Sequence, residues 1–218
     1  MNLIKYKRSK KKQMSDLSEN INIVYQYLIS RCSLINPCIS VHYNFYEKDI
    51  RVTDFSEAIN NITKEEIQTP IPSRGIIHYT IFELTLLHKE LTHVALQLLT
   101  RFQDLNVDYT THGLSPIILI SQINTTIAHM LLQELIDCGA NINILSIRGE
   151  YTPLICSVIN RNETSIKILL ENGADARKKG SIYESAFKLI KSIPQYHYLL
   201  ATPSKGSSTK SAGIKSKT

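Results

Sequence analysis

The chain has 218 residues, 43% of them apolar, enough for one domain of moderate size or one repeat array with flanking segments. No stretch approaches the roughly 18 apolar residues of a membrane-spanning helix, so no membrane span is expected. The net charge of +6 belongs to the two ends: residues 1–14 carry six basic side chains and no acid, residues 201–218 carry four and no acid, and the body, 15–200, has 15 basic residues against 19 acids, a net of −4 that argues against a nucleic-acid-binding body.

Residues 1–14 read as a disordered basic N-terminus. Lys5-Tyr6-Lys7-Arg8-Ser9-Lys10-Lys11-Lys12 suits a nuclear-import signal or a contact for phosphate or acidic lipid, and equally a solvated end. The run Met14-Ser15-Asp16-Leu17-Ser18-Glu19-Asn20 is too polar for the apolar part of a secretory leader. Cys32, Cys38, Cys138 and Cys156 form no CxxC pair, and Cys32, Cys38 and His42 lack the usual zinc spacing. Reduced thiols in an intracellular, cytoplasmic protein are therefore expected.

Residues 15–31 predict an amphipathic helix, with Leu17, Ile21, Val24, Tyr25 and Leu28 on one face. Ile39, Val41, Tyr43 and Phe45 alternate and are followed by Ile50 and Val52, the pattern of a short hairpin. Asp54-Phe55-Ser56-Glu57 has the form of a capping box opening a helix through Ile62. Thr69-Pro70-Ile71-Pro72-Ser73 is a break. Residues 15–75 thus read as a helical flank or cap.

From residue 76 to 202 one pattern recurs. Thr80-Ile81-Phe82 opens a unit that closes at Leu98-Leu99 and Asp104-Leu105-Asn106. Gly113-Leu114-Ser115-Pro116-Ile117 opens the next, closed by Leu135-Ile136-Asp137-Cys138-Gly139-Ala140-Asn141-Ile142-Asn143. This unit is about three residues longer, an excess expected in the turn near Asn124-Thr125-Thr126. Thr152-Pro153-Leu154 opens the clearest unit, which runs through Ile168-Leu169-Leu170 to Glu171-Asn172-Gly173-Ala174-Asp175. Glu184-Ser185-Ala186-Phe187-Lys188-Leu189-Ile190 begins a truncated fourth. The openings at Thr80, Ser115, Thr152 and Ser185 lie 35, 37 and 33 residues apart. This sequence resembles the ankyrin repeat, a unit of about 33 residues with a Thr-Pro-Leu-His opening, two helices and a Gly-Ala-Asp close. The family's His is replaced by Ile155, Ile118 and Glu83, and its Ala pair by Ser157-Val158 in the clearest unit, which predicts looser or altered helix packing there.

Each element has a physical task. Ser115, Thr152 and Ser185 suit helix N-caps, with Pro116 and Pro153 at the first helical position, where a missing N–H is harmless. Gly139 and Gly173 suit helix ends with positive φ. Ile166, Leu169 and Leu170 form a stripe that only stacked neighbours bury.

The resemblance implies an all-α ankyrin-repeat solenoid with an N-terminal helical flank: about three full repeats and a truncated one over 76–202, then a disordered basic tail, 203–218. It implies a monomeric adaptor that binds a partner protein with its loop tips and concave face. The matching tip positions are Tyr109, Thr111 and His112; Leu145, Ile147, Arg148 and Tyr151; and Lys178, Lys179, Ile182 and Tyr183. The small, polar, basic tail further resembles the C-terminal secretion signals of type IV effectors of intracellular bacteria, which implies delivery into a host cell and action on host proteins.

Chemistry has little foothold. His88 and His93 are five apart, not the four that put two ligands on one helix face, and neither a phosphate loop nor a G-x-S-x-G elbow occurs. Cys156 falls within a repeat's first helix, where packing is its expected role. No catalytic residue, metal, cofactor or small-molecule substrate is expected. Two other readings remain: a small enzyme in 1–75, with His42, Glu47 and Asp49 in a pocket, or a nucleic-acid binder using the basic N-terminus.

Overall fold

A computed structural model describes residues 19–35, 52–70, 79–87, 89–110 and 114–201, with the side chains of 29–35, 52 and 54 left out. The regular elements among them are α1 (Glu19–Ile35), α2 (Val52–Asn61), α3 (Lys64–Gln68), α4 (Ile81–Leu86), α5 (Thr92–Arg101), α6 (Pro116–Ile120), α7 (Thr126–Asp137), α8 (Pro153–Ile159), α9 (Glu163–Glu171), α10 (Ala186–Lys191) and the 3-10 helix η1 (Pro194–Ala201). The described chain is all-α.

The helices associate in pairs: α4 with α5, α6 with α7, α8 with α9, and α10 with η1. First helices touch in series from α4 to α10, and second helices in series from α5 to η1. Each pair buries an apolar face against the next. Leu98 and Leu99 of α5, Leu131, Leu132 and Leu135 of α7, and Ile166 and Leu169 of α9 are nearly or fully buried. Ser157 and Val158 are also buried, and the Ser157 hydroxyl donates to the Pro153 carbonyl at 3.0 Å and the Ser121 carbonyl at 3.4 Å.

Hydrogen bonds between neighbouring pairs carry the same period. The Asn106, Asn141 and Asp175 side chains each accept from the backbone N–H two residues on. These three local turns fix the exit from each second helix. The Asp108 carboxylate then accepts from Asn141 N–H at 3.0 Å, and the Asn143 side chain from Asp175 N–H at 2.8 Å. The ladder stops at Arg177, whose side chain has donors only.

Thr152 caps α8 as expected, accepting from Ile155 N–H at 3.1 Å. Ser115 and Ser185 occupy cap positions, but neither hydroxyl accepts a capping bond. Their own carbonyls already take the third residue's N–H, from Ile118 at 3.0 Å and Lys188 at 2.9 Å, so tightened first turns leave the hydroxyls no donor. Thr152→Ala is therefore expected to cost about 1 kcal/mol, while Ser115→Ala, which removes a buried hydroxyl without a partner, changes stability by less than about 0.5 kcal/mol. Urea unfolding of the two variants measures the contrast.

The extra residues of the second unit lie in its second helix, not in the turn. Thr125 caps α7 ten residues after Ser115, and Asn162 caps α9 ten residues after Thr152. Helix α7 has 12 residues and α9 has 9. Three residues make nearly one turn, so the apolar stripe keeps its phase and the turn stays unchanged.

At the N-terminal side, α1 extends four residues past the end expected for it and buries Ile21, Val24, Tyr25 and Leu28; it touches α2 and α4. Leu17 lies outside the described residues. Tyr27 stacks on Phe55 at 4.0 Å. Helix α2 begins at Val52, so Val52 is helical rather than part of a hairpin, and Asp54-Phe55-Ser56-Glu57 lies inside the helix rather than capping it. The rest of the expected hairpin is outside the described residues. True capping boxes stand at Thr63–Glu66 and Thr80–Glu83. In the second box the buried Glu83 carboxylate accepts Thr80 N–H at 2.8 Å. Arg101 of α5 donates to the Ile59 and Ile62 carbonyls at 3.1 and 3.2 Å, satisfying the end of α2.

Candidate loop-tip interface

The loops between pairs are built by short polar side chains that replace missing strand partners. After α7, the Ser146 hydroxyl accepts from the N–H groups of Glu150 and Tyr151, at 3.0 and 3.2 Å. Ser146 N–H donates to the Tyr151 carbonyl at 3.0 Å, closing a narrow tip over 146–151. After α9, Gly180 N–H donates to the Tyr183 carbonyl at 3.2 Å and closes the next tip.

The two tips are joined. Ser181 N–H donates to the Gly149 carbonyl at 2.7 Å, and its hydroxyl donates to the Arg148 carbonyl at 3.2 Å. Tyr151 and Tyr183 face each other with ring centroids 5.1 Å apart. The Tyr183 hydroxyl beside it, with some burial, raises the Tyr151 pKa above the ordinary tyrosine value. These contacts join the two loops into one platform.

The candidate residues divide on this platform. Ile147 is 83% exposed and Ile182 66% exposed, so neither folds back on its own tip. Arg148 and Lys179 are exposed beside them in sequence. Leu145 and Tyr109 are exposed by 37% and 39%. Tyr151 and Tyr183 are half-buried and engaged with each other rather than presented to solvent. Lys178 is half-buried and donates to the Asn143 carbonyl at 2.6 Å, so its ammonium is directed to its own framework. Thr111 and His112 lie outside the described residues. The tip lock formed by Gly180 and Ser181 is not legible in the sequence alone; its faint signal is a Gly-Ser pair about one repeat after Arg148-Gly149.

Among the described residues no group of three or more His, Cys, Asp or Glu side chains could hold a metal ion, and no helix is long and apolar enough to cross a membrane. His88, His42, Glu47 and Asp49 are not among them. Burial pushes the Cys156 thiol up to about 12, which leaves it protonated and a poor nucleophile at neutral pH. An open depression of about 350 Å³ near the C-terminal end is lined by apolar side chains, among them Leu170, Phe187, Leu199 and Leu200, with Asp175 and Arg177 as its charged members. No family model matches this chain, and no curated protein matches it.

Proposed function

We propose that residues 76–202 form an ankyrin-repeat solenoid, that α1–α3 close its N-terminal end, and that the chain is an adaptor holding a partner protein through its loop tips. The observation that carries the reading is the pair of strongly exposed isoleucines, Ile147 and Ile182, on tips locked to one another. Exposing β-branched apolar side chains on two joined loops suits a surface that is covered by a partner. The fold part rests on the serial contacts of first and second helices and on the bonds that link Asp108 to Asn141 and Asn143 to Asp175, 33 and 32 residues apart. An interface of roughly 800 Å² per partner would take up most of the tip surface of so short an array.

The test is affinity capture from lysate with the intact chain and with a variant carrying Ile147→Ala, Arg148→Ala and Ile182→Ala. All three side chains are exposed, so the variant should melt like the parent. A partner retained by the intact chain and lost from the folded variant supports the adaptor reading. Capture that ignores these substitutions, or no specific capture, removes the tips from consideration and turns attention to residues 1–75.

A further inference from the structure

The body of the chain is net acidic, yet the two joined tips are basic. Residues 144–151 and 176–184 hold Arg148, Arg177, Lys178 and Lys179 against Glu150 and Glu184. The acids do not balance these cations. Lys188 holds the Glu184 carboxylate at 3.1 Å and keeps its pKa below the ordinary value, with a smaller contribution from Lys179. Of the cations, Lys178 is bound to the Asn143 carbonyl and Arg177 lies 5.5 Å over the Phe187 ring. Arg148 and Lys179 are left exposed, with no ion pair among the described residues. Each belongs to a tip that also carries an exposed isoleucine.

We infer that this platform takes a short acidic segment of a partner protein, bearing apolar anchors that cover Ile147 and Ile182 and carboxylates that meet Arg148 and Lys179. The inference rests on the adaptor reading and gives its partner a chemistry. Neighbouring helices pack about 8–10 Å apart and an extended chain advances about 3.3 Å per residue, so anchors for adjoining tips fall about three residues apart. A nucleic acid is the poorer occupant. Its bases need open aromatic faces, and Tyr151 and Tyr183 are occupied by one another. Two free cations also neutralise few phosphates.

The experiment is selection of a display library of random peptides, roughly twelve residues long, on the immobilised full-length chain, followed by anisotropy titration of the enriched peptide labelled with fluorescein. We expect enrichment of Asp and Glu around apolar residues about three apart. Affinity should fall about tenfold or more for Ile147→Ser with Ile182→Ser, and as far for Arg148→Glu with Lys179→Glu, with melting unchanged. Binding should also weaken as salt rises from about 50 to about 300 mM. Enrichment of neutral or basic peptides, no enrichment, or a charge-reversed variant that binds like the parent overturns the inference. So does a labelled oligouridylate that displaces the peptide at equal concentration. Tip-dependent capture of a partner without selection of acidic peptides would overturn this inference alone and leave the adaptor reading standing.

Discussion

Asn162→Ala is expected to lower the unfolding free energy by about 3 kcal/mol. Asn162 is fully buried at the start of α9. Its side-chain oxygen accepts from Ser165 N–H at 3.3 Å and lies 3.0 Å from His129 Nε2, which donates in the tautomer protonated there. Its amide nitrogen donates to the Ser121 and Ile123 carbonyls at 3.3 and 3.0 Å. Two donors and two acceptor sites are thus all used. Alanine strands the part-buried Ile123 carbonyl and the buried Ser165 N–H and leaves Ser121 with a single long bond from Ser157. Each orphan costs about 1–3 kcal/mol and the lost cap about 1 kcal/mol, and because they share one site they do not add fully.

Two companions separate the cap from the bridge. Asn160→Ala removes one bond, to the Cys156 carbonyl at 2.9 Å, from an exposed residue, and should stay within about 0.5 kcal/mol of the parent. Asn162→Asp keeps an N-cap acceptor but cannot donate to two carbonyls, and sets a carboxylate against them. Urea unfolding should show it nearly as damaging as alanine. Full stability in the aspartate variant would mean that Asn162 acts only on its own helix.

Asn162 also marks where the sequence stops being legible. Thr152, Pro153, Gly139 and Gly173 could be read because their tasks are local: a cap, a first-turn proline and a positive φ of 88° or 91° at a helix end. The burial of Ile166 and Leu169 follows from helical period alone. Ser115 looked like Thr152 and differs because its carbonyl competes for the same first-turn N–H, a choice made by backbone geometry rather than residue type. The three added residues of the second unit were visible as a length but not as a place, since a nearly whole helical turn leaves the pattern in phase on both sides. Asn162 and Arg101 bridge segments about 40 residues apart, and an isolated Asn or Arg carries no sign of that. At the tips, Ile147 and Ile182 were legible as apolar residues at positions that face water. Tyr151 and Tyr183 gave the same signal and turned out to be half-buried, because the two loops lock together and bring their rings to 5.1 Å.

That lock sets the second large effect: Gly180→Ala should destabilise the chain by about 2 kcal/mol and weaken partner binding, although no binding side chain changes. A Cβ on Gly180 would lie 1.8 Å from the Glu150 carbonyl oxygen and 2.6 Å from its carbon. Both atoms are backbone, so no side chain can swing aside, and the 180–183 tip has to move away from 146–151. That movement stretches both Ser181 bonds, to Gly149 and Arg148, and separates the tyrosine rings. Ile147 and Ile182 survive but lose their fixed spacing, so a partner bound across both must order them at its own expense. Gly149→Ala is the control. Its Cβ meets nothing within 4 Å, and its cost, about 1 kcal/mol, comes from its φ of 68° alone. Thermal melting and peptide titration of both variants decide the matter. A larger loss of stability and affinity in Gly180→Ala than in Gly149→Ala is the expected order. Equal losses would mean that the tips act independently and that the platform is two separate loops.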